Sequence, residues 1–233
     1  MRILFLMVSA CAVVFLTGCG TTAKFTYPAK MSQLVRFGET PLTDKTVTVV
    51  PFEDFRSDDN TTMFGMQLIP LFPCGWGNYD RPDAARSFPT ILEFEVTPTE
   101  DLPKATATSL RRSNLFKEAA FSHRKEATDY TLAGRIKTFA YRGKVWSWGL
   151  SIYGSYLWIL GAPAAVSENE IEVELELLDK NGKIVWEYTI RKTNSMWQWL
   201  YYRFGHDCKM FAILYQDGMN AALTDLSQHL LKK

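Results

Sequence analysis

The stretch NEIEVELELLDKNGKIVWEYTIRK, residues 169–192, constrains the fold more than any other part of this chain. Ile171, Val173, Leu175 and Leu177 alternate with Glu172, Glu174 and Glu176. That is the period-two pattern of a strand with one face buried and the other in water. Asn181-Gly182 follows, two residues that tolerate the positive φ of a tight hairpin turn. Ile184, Trp186, Tyr188 and Ile190 then carry an apolar face back along a return strand. Two strands alone are barely stable in water, so more strands and a covering layer must come from the rest of the chain.

Strand-like runs occur at 46–51 (TVTVVP), 90–96 (TILEFEV) and 127–143, where Tyr130, Leu132, Gly134, Ile136 and Thr138 are expected to share one face. Two other stretches read as helices. In 97–116, Thr97 is placed to cap the N-terminus, Pro98 suits the first turn, and Glu100 and Asp101 sit near the positive end of the dipole. Its apolar positions are Leu102, Ala105, Leu110, Leu115 and Phe116. In 207–231, Phe211, Leu214, Met219, Ala222, Leu223, Leu226 and Leu230 form an inner stripe. The expectation is an α+β fold over 45–233: a mixed or antiparallel sheet with helices packed on one face, plus a hydrophobic hairpin-like insertion.

The insertion is the run VWSWGLSIYGSYLWILGAPAAV, residues 145–166, which has no charge between Lys144 and Glu168. It is long enough to cross a bilayer. However, as a transmembrane helix it would put the strands on either side of it on opposite faces of a membrane. Gly149, Gly154, Gly161 and Pro163 also oppose a regular helix. It therefore reads as an excursion of the sheet, turning near Gly154-Ser155. Residues 63–79 are equally apolar but broken by Pro70, Pro73, Gly75 and Gly77, which marks a hydrophobic loop. Trp146, Trp148, Tyr153, Tyr156, Trp158 and Trp76 are the candidate interaction surface, since aromatics amid small residues are typical anchors.

The chain opens with MRILFLMVSACAVVFLTGCG: a basic residue, then an apolar core too short for a membrane helix. Leu16-Thr17-Gly18-Cys19 resembles the lipobox of bacterial lipoproteins. The resemblance implies cleavage after residue 18 and acylation of Cys19, with diacylglycerol and palmitate-type chains. Residues 19–44 are then expected to be a tether between lipid and domain. Gly20 stands where an aspartate would retain such a protein in the inner membrane, so outer-membrane placement facing the periplasm is implied.

The full chain has 26 basic and 25 acidic residues; losing 1–18 removes Arg2 and leaves 25 of each. A neutral chain has no electrostatic footprint for nucleic acid. Of four cysteines, Cys74 and Cys208 remain after processing, and they either form a disulfide or stay as free thiols. None of the three histidines (His123, His206 and His229) has metal-ligand spacing, and no phosphate-binding glycine motif is present. Asp58, Asp59 and Asn60 read as an exposed turn rather than a calcium loop, and His206-Asp207-Cys208 as a helix start rather than a nucleophile with its base. Glu172, Glu174 and Glu176 form a solvated face or an acidic contact surface. No catalytic residue, metal or cofactor is expected.

LRRSNLF followed by ATDYTLAGRI, together with VTVVPFEDFR and VELELLDKNGKIVWEYTI, is similar to envelope lipoproteins of the group that includes the TolB amino-terminal domain, CsgG, LpoB and ABC-transport auxiliary lipoproteins. The resemblance implies a lipid-anchored, non-enzymatic adaptor or accessory subunit with an envelope protein partner. The alternative is a CsgG-like oligomeric secretion channel, with 146–153 and 156–163 as strands of a membrane hairpin. An envelope hydrolase is a third reading, and self-assembly into a homo-oligomer is also open.

Overall fold

The computed structural model describes residues 22–85, 88, 90, 93–124 and 127–232. In chain order the elements are β1 (Thr22–Lys24), β2 (Thr43–Val49), β3 (Glu53–Asp54), β4 (Asn60–Met63), β5 (Cys74–Tyr79), β6 (Glu93–Glu95), α1 (Pro98–Ser113), β7 (Phe116–Phe121), β8 (Tyr130–Trp146), α2 (Gly154–Ile159), β9 (Ala165–Asp179), β10 (Ile184–Gln198) and α3 (Met210–Leu231). The leader and Cys19 lie outside the described residues.

The expected α+β architecture is present. The alternating segment forms β9 and β10, paired antiparallel in register from Ile184↔Leu178 to Gln198↔Ala165. Next to them β8 pairs antiparallel with β9 along its length, from Tyr130↔Asp179 to Val145↔Ala165. Each of these strands is about 50 Å long at the usual rise per residue. The free edge of β8 is shared by shorter strands, with parallel β2 near its start, then β3, then antiparallel β5 near its end. Parallel β7 extends the sheet beyond β2, and β4 beyond β5.

One expected alternation fails within β8. Between Ile136 and Thr138 the register against β9 shifts, Ile136 facing Val173 and Thr138 facing Glu172, so Lys137 is an extra, bulged residue. Leu132, Gly134 and Ile136 lie on the inner face before it; after it the inner-face residues are Phe139, Tyr141, Gly143 and Val145, all buried. Thr138 thus leaves the inner face it was expected to share with Ile136.

Helices α1 and α3 cover the inner face. Leu102, Leu110, Phe211, Tyr215, Met219 and Leu223 bury against Ile136, Phe139, Ile171, Val173 and Leu175. Phe211 stacks between Phe139 at 4.1 Å and Phe94 at 5.7 Å. Gly218 lets α3 approach β10, because a Cβ there would collide with Ile190. Thr97 is the cap position of α1, but its own side chain makes no capping bond. Instead the Asp101 carboxylate, one residue beyond the capping-box position, reaches back to accept the Thr97 N–H at 2.7 Å. Pro103 lies inside α1 and lacks the N–H that would bond Thr99, and the Phe52 N–H takes that carbonyl at 3.1 Å.

Residues 22–44 are not the expected tether. β1 pairs parallel with β6, and Phe25, Tyr27 and Phe37 pack against the core. The segment then descends along α3. The Tyr27 hydroxyl bonds that of Ser109, Lys30 exchanges backbone bonds with the Gln216 side chain, and the Val35 N–H donates to Asn220. Aromatic anchors without regular spacing are what hydrophobic periodicity misses.

The glutamate row on the open face is neutralised. Glu176 pairs with Arg135 at 2.8 Å, Glu174 with Lys137 at 3.4 Å and Glu172 with Arg191 at 3.2 Å. It is a mixed-charge ladder rather than an acidic patch.

Candidate functional site

Three charge-free stretches, 64–79, 145–167 and 193–202, converge at one end of the sheet. β8 ends at Trp146, and 147–164 connects it to β9. That connection does not form the strands at 146–153 and 156–163 that a membrane hairpin would need. It holds a 3-10 turn at Ser151–Tyr153 and the short helix α2. The reason lies in the backbone: Trp148, Gly149 and Ser151 all have positive φ, which curls the chain before it can extend. Gly154 begins α2 directly over Ser147, whose backbone any Cβ would strike.

The loop at 64–73 closes on this segment through main-chain groups. Pro73 O accepts the N–H groups of Ser147 and Trp148, each at 2.9 Å. The Leu71 N–H donates to Gly149 O at 2.9 Å, and the Ser147 hydroxyl donates to Phe72 O at 2.9 Å. The packing of the two apolar segments on each other satisfies polar backbone that apolar side chains cannot. The third strip, 199–206, is tied in by Gln198. Its buried side-chain carbonyl accepts the Gly205 N–H at 3.0 Å, while its main-chain carbonyl accepts the Ala164 N–H at 2.8 Å.

Indoles brace the assembly. Trp146 stacks on Trp148 at 5.4 Å and on Trp197 at 6.1 Å. Trp158 donates its ring N–H to Trp146 O at 2.7 Å, and Trp148 donates to Pro163 O at 3.3 Å. Of the six candidate surface residues, Trp146, Trp148, Tyr153, Tyr156 and Trp158 come together here. Trp76 lies lower, on β5 opposite Lys144, and is half-buried.

The outer surface of this tip is apolar. Leu71 is 90% exposed and Leu160 81%, and Leu68, Ile152, Tyr153, Tyr156, Tyr201 and Tyr202 are exposed beside them. Leu68, Leu71, Leu200 and Tyr201 were not among the expected surface residues. Their sequence signal was the missing charge in 64–79 and the aromatic density of MWQWLYYRF. Leu71, Trp148, Ser151 and Arg203 are four non-glycine residues held at positive φ, all in these loops. Such strain gathers where the surroundings over-determine the backbone.

Beneath the tip lies a buried polar knot. Asp207 is fully buried, and one of its oxygens accepts the hydroxyls of Thr90 at 2.6 Å and Tyr141 at 2.7 Å. Burial, then the Asp207 charge, push the Tyr141 phenol well above its ordinary range. The same two causes push the Cys208 thiol up, so it is not a poised nucleophile. Of the two states left open for Cys74 and Cys208, a disulfide or free thiols, the structure has both as free thiols. Cys74 pairs with Trp146, whereas Asp207 reaches Tyr141, five residues earlier on β8. That offset is about 17 Å along the strand, far beyond disulfide reach. Among the described residues no cluster of His, Cys, Asp or Glu is arranged to hold a metal ion. At the expected Asp58–Asn60 turn, Asn60 is engaged on both sides by the Arg81 backbone.

A separate groove of about 560 Å³ lies towards the opposite end, lined by Met31, Leu34, Arg36, Arg111 and Arg112 among others. Among the described residues, no helix is long and apolar enough to cross a membrane.

No family model and no curated protein matches the chain. Among solved structures it overlaps an uncharacterized protein at 10% identity and TM-score 0.35, covering 90% of this chain and 99% of that one. Lipoprotein GNA1162 from Neisseria meningitidis overlaps at 11% identity and TM-score 0.33, over 77% of this chain and 99% of that one. A neuraminyllactose-binding hemagglutinin homolog from Helicobacter pylori overlaps at 8% identity and TM-score 0.35, over 90% and 92%. Overlaps this weak say nothing of the role of this chain.

Proposed function

We propose that the chain is a lipid-anchored envelope lipoprotein, carried on the outer membrane and facing the periplasm, that acts without catalysis as an adaptor or accessory subunit of a protein complex. The observation that carries the reading is Leu16-Thr17-Gly18-Cys19 behind a short apolar leader, followed almost at once by a docked domain. The Cys208 thiol, in the turn before α3 and pushed up by burial, lends no support to a hydrolase reading built on that cysteine. A protein partner is supported by the charge-laddered sheet face and by β10, an edge strand among the described residues, since an edge of that kind can receive an added strand.

The channel reading is less well supported, because the two segments it needs as strands form turns and a short helix. Labelled palmitate should enter the wild-type chain and not Cys19→Ala, and an inhibitor of lipoprotein signal peptidase should leave the leader attached. Absence of palmitate from the wild type sinks the anchor. A ring of many subunits in mild detergent sinks the adaptor and restores the channel.

A further inference from the structure

The start of the docked chain fixes where a lipid on Cys19 has to be. β1 begins at Thr22, and the residues after it run down α3 from its N-terminal end: Lys24 and Thr26 line a groove with Lys209 and Ala212, Lys30 meets Gln216, and Val35 meets Asn220. Thr22 is therefore at the top of α3, where 199–206 enters the helix. Three residues span about 11 Å at most. Acyl chains on Cys19 would thus be tied within that reach of the end of the molecule that carries the apolar tip. A tether over 19–44 would have left the tip free to face anywhere.

We infer that the tip formed by 68–72, 148–160 and 199–202 sits in the lipid leaflet that holds Cys19, so that the domain is fixed end-on to its membrane. This rests on the reading of Cys19 as the lipidated residue. Lipid is favoured over a protein by the shape and chemistry of the tip. The most exposed side chains, Leu71 and Leu160, project from separate loops, which suits a fluid apolar phase. Tyrosines 153, 156 and 201 are exposed beside them, and tyrosine and tryptophan favour the boundary between acyl chains and headgroups. The three contributing stretches hold no charged side chain, so nothing has to be neutralised on insertion.

The test uses the full lipidated chain in vesicles of phosphatidylethanolamine with phosphatidylglycerol. A photo-crosslinking residue (p-benzoylphenylalanine) replaces Leu71, Leu160 or Tyr201 in turn, with exposed Leu231 at the far end of α3 as the control. The tip positions should give phospholipid adducts about tenfold above Leu231, with little change as salt is raised, because the contact is apolar burial. Adding Leu71→Asp with Leu160→Asp should cut the adducts from position 201 about tenfold and leave the thermal transition in place, since both side chains are exposed. Adducts to protein only, or lipid adducts no more frequent than at Leu231, overturn the proposal. The mass of the N-terminal peptide reports Cys19 acylation separately. An unmodified Cys19 defeats the anchor, while the tip adducts in the same sample still decide whether this surface meets lipid.

Discussion

At one end of the long sheet β9 passes to β10 through Lys180, Asn181, Gly182 and Lys183; at the other, β8 passes to β9 through the whole of 147–164. The short turn is held by polar groups. The Asp179 carboxylate accepts the N–H groups of Asn181 and Lys183 at 2.8 and 2.9 Å, and Gly182 takes a φ of 78°. Lys180 and Lys45 both reach Asp129, which also accepts the Thr46 N–H at 3.0 Å. The long connection has no charge and is held by backbone carbonyls and stacked indoles. The same long strands thus end in one connection held by charged and polar side chains and another held by main-chain groups and apolar rings. Salt and pH should act on the first, and packing changes on the second.

The largest effect is expected where the tip end rests on the core. Phe211→Ala removes the ring stacked between Phe139 and Phe94 and should cost about 3–5 kcal/mol in denaturant unfolding. A loss below about 1 kcal/mol would mean that the start of α3 is not what supports this end. Gly154→Ala, forced against the Ser147 backbone, should cost about 1–3 kcal/mol. Hydrogen exchange should rise across 147–160 and stay unchanged at 179–184; a uniform rise would erase the distinction between the ends. Asp179→Ala should cost about 1 kcal/mol through its two lost backbone bonds, with the exchange pattern reversed.

The Asp129 carboxyl is held at about 2 against an ordinary 3.8, first by the Thr46 backbone N–H and then by Lys180. A carboxyl lowered in the folded state stabilises at pH above its unfolded value and loses that contribution as pH falls through the folded one. The Tm gap between wild type and Asp129→Asn should be steady above about pH 5 and close between about pH 4 and about pH 2. The gap for Gly154→Ala should stay flat over the same range. Arg191→Ala, at an exposed pair with Glu172, should change stability by less than about 0.5 kcal/mol.

The two ends were also unequally legible. Alternation and Asn-Gly specify β9, the turn and β10 from local residues alone, and helical periodicity placed Leu102, Leu110, Phe211 and Leu223 inside correctly. The apolar run of the tip is compatible with a membrane span, a hairpin or a packed loop. What decides among them is long-range bonding to Pro73 and Leu71, together with positive φ at Trp148, which no local pattern announces. The docking of 22–44 depends likewise on scattered aromatics finding α1 and α3. Asp207 gave no sign of its role, because Thr90 and Tyr141 are brought to it only by the finished fold. The face swap in β8 was hidden for a related reason: a bulge is a property of a strand pair, and only the partner strand reveals it.

That bulge makes β8 two half-strands of opposite phase spliced at Lys137. Dropping one residue elsewhere in the strand would send every side chain on one side of the gap to the wrong face. Dropping Lys137 would leave Ile136 and Phe139 both facing the core, with Thr138 between them facing out. The longest strand of the protein therefore has a seam at which its length can drift by one residue while the core above and the core below keep their places.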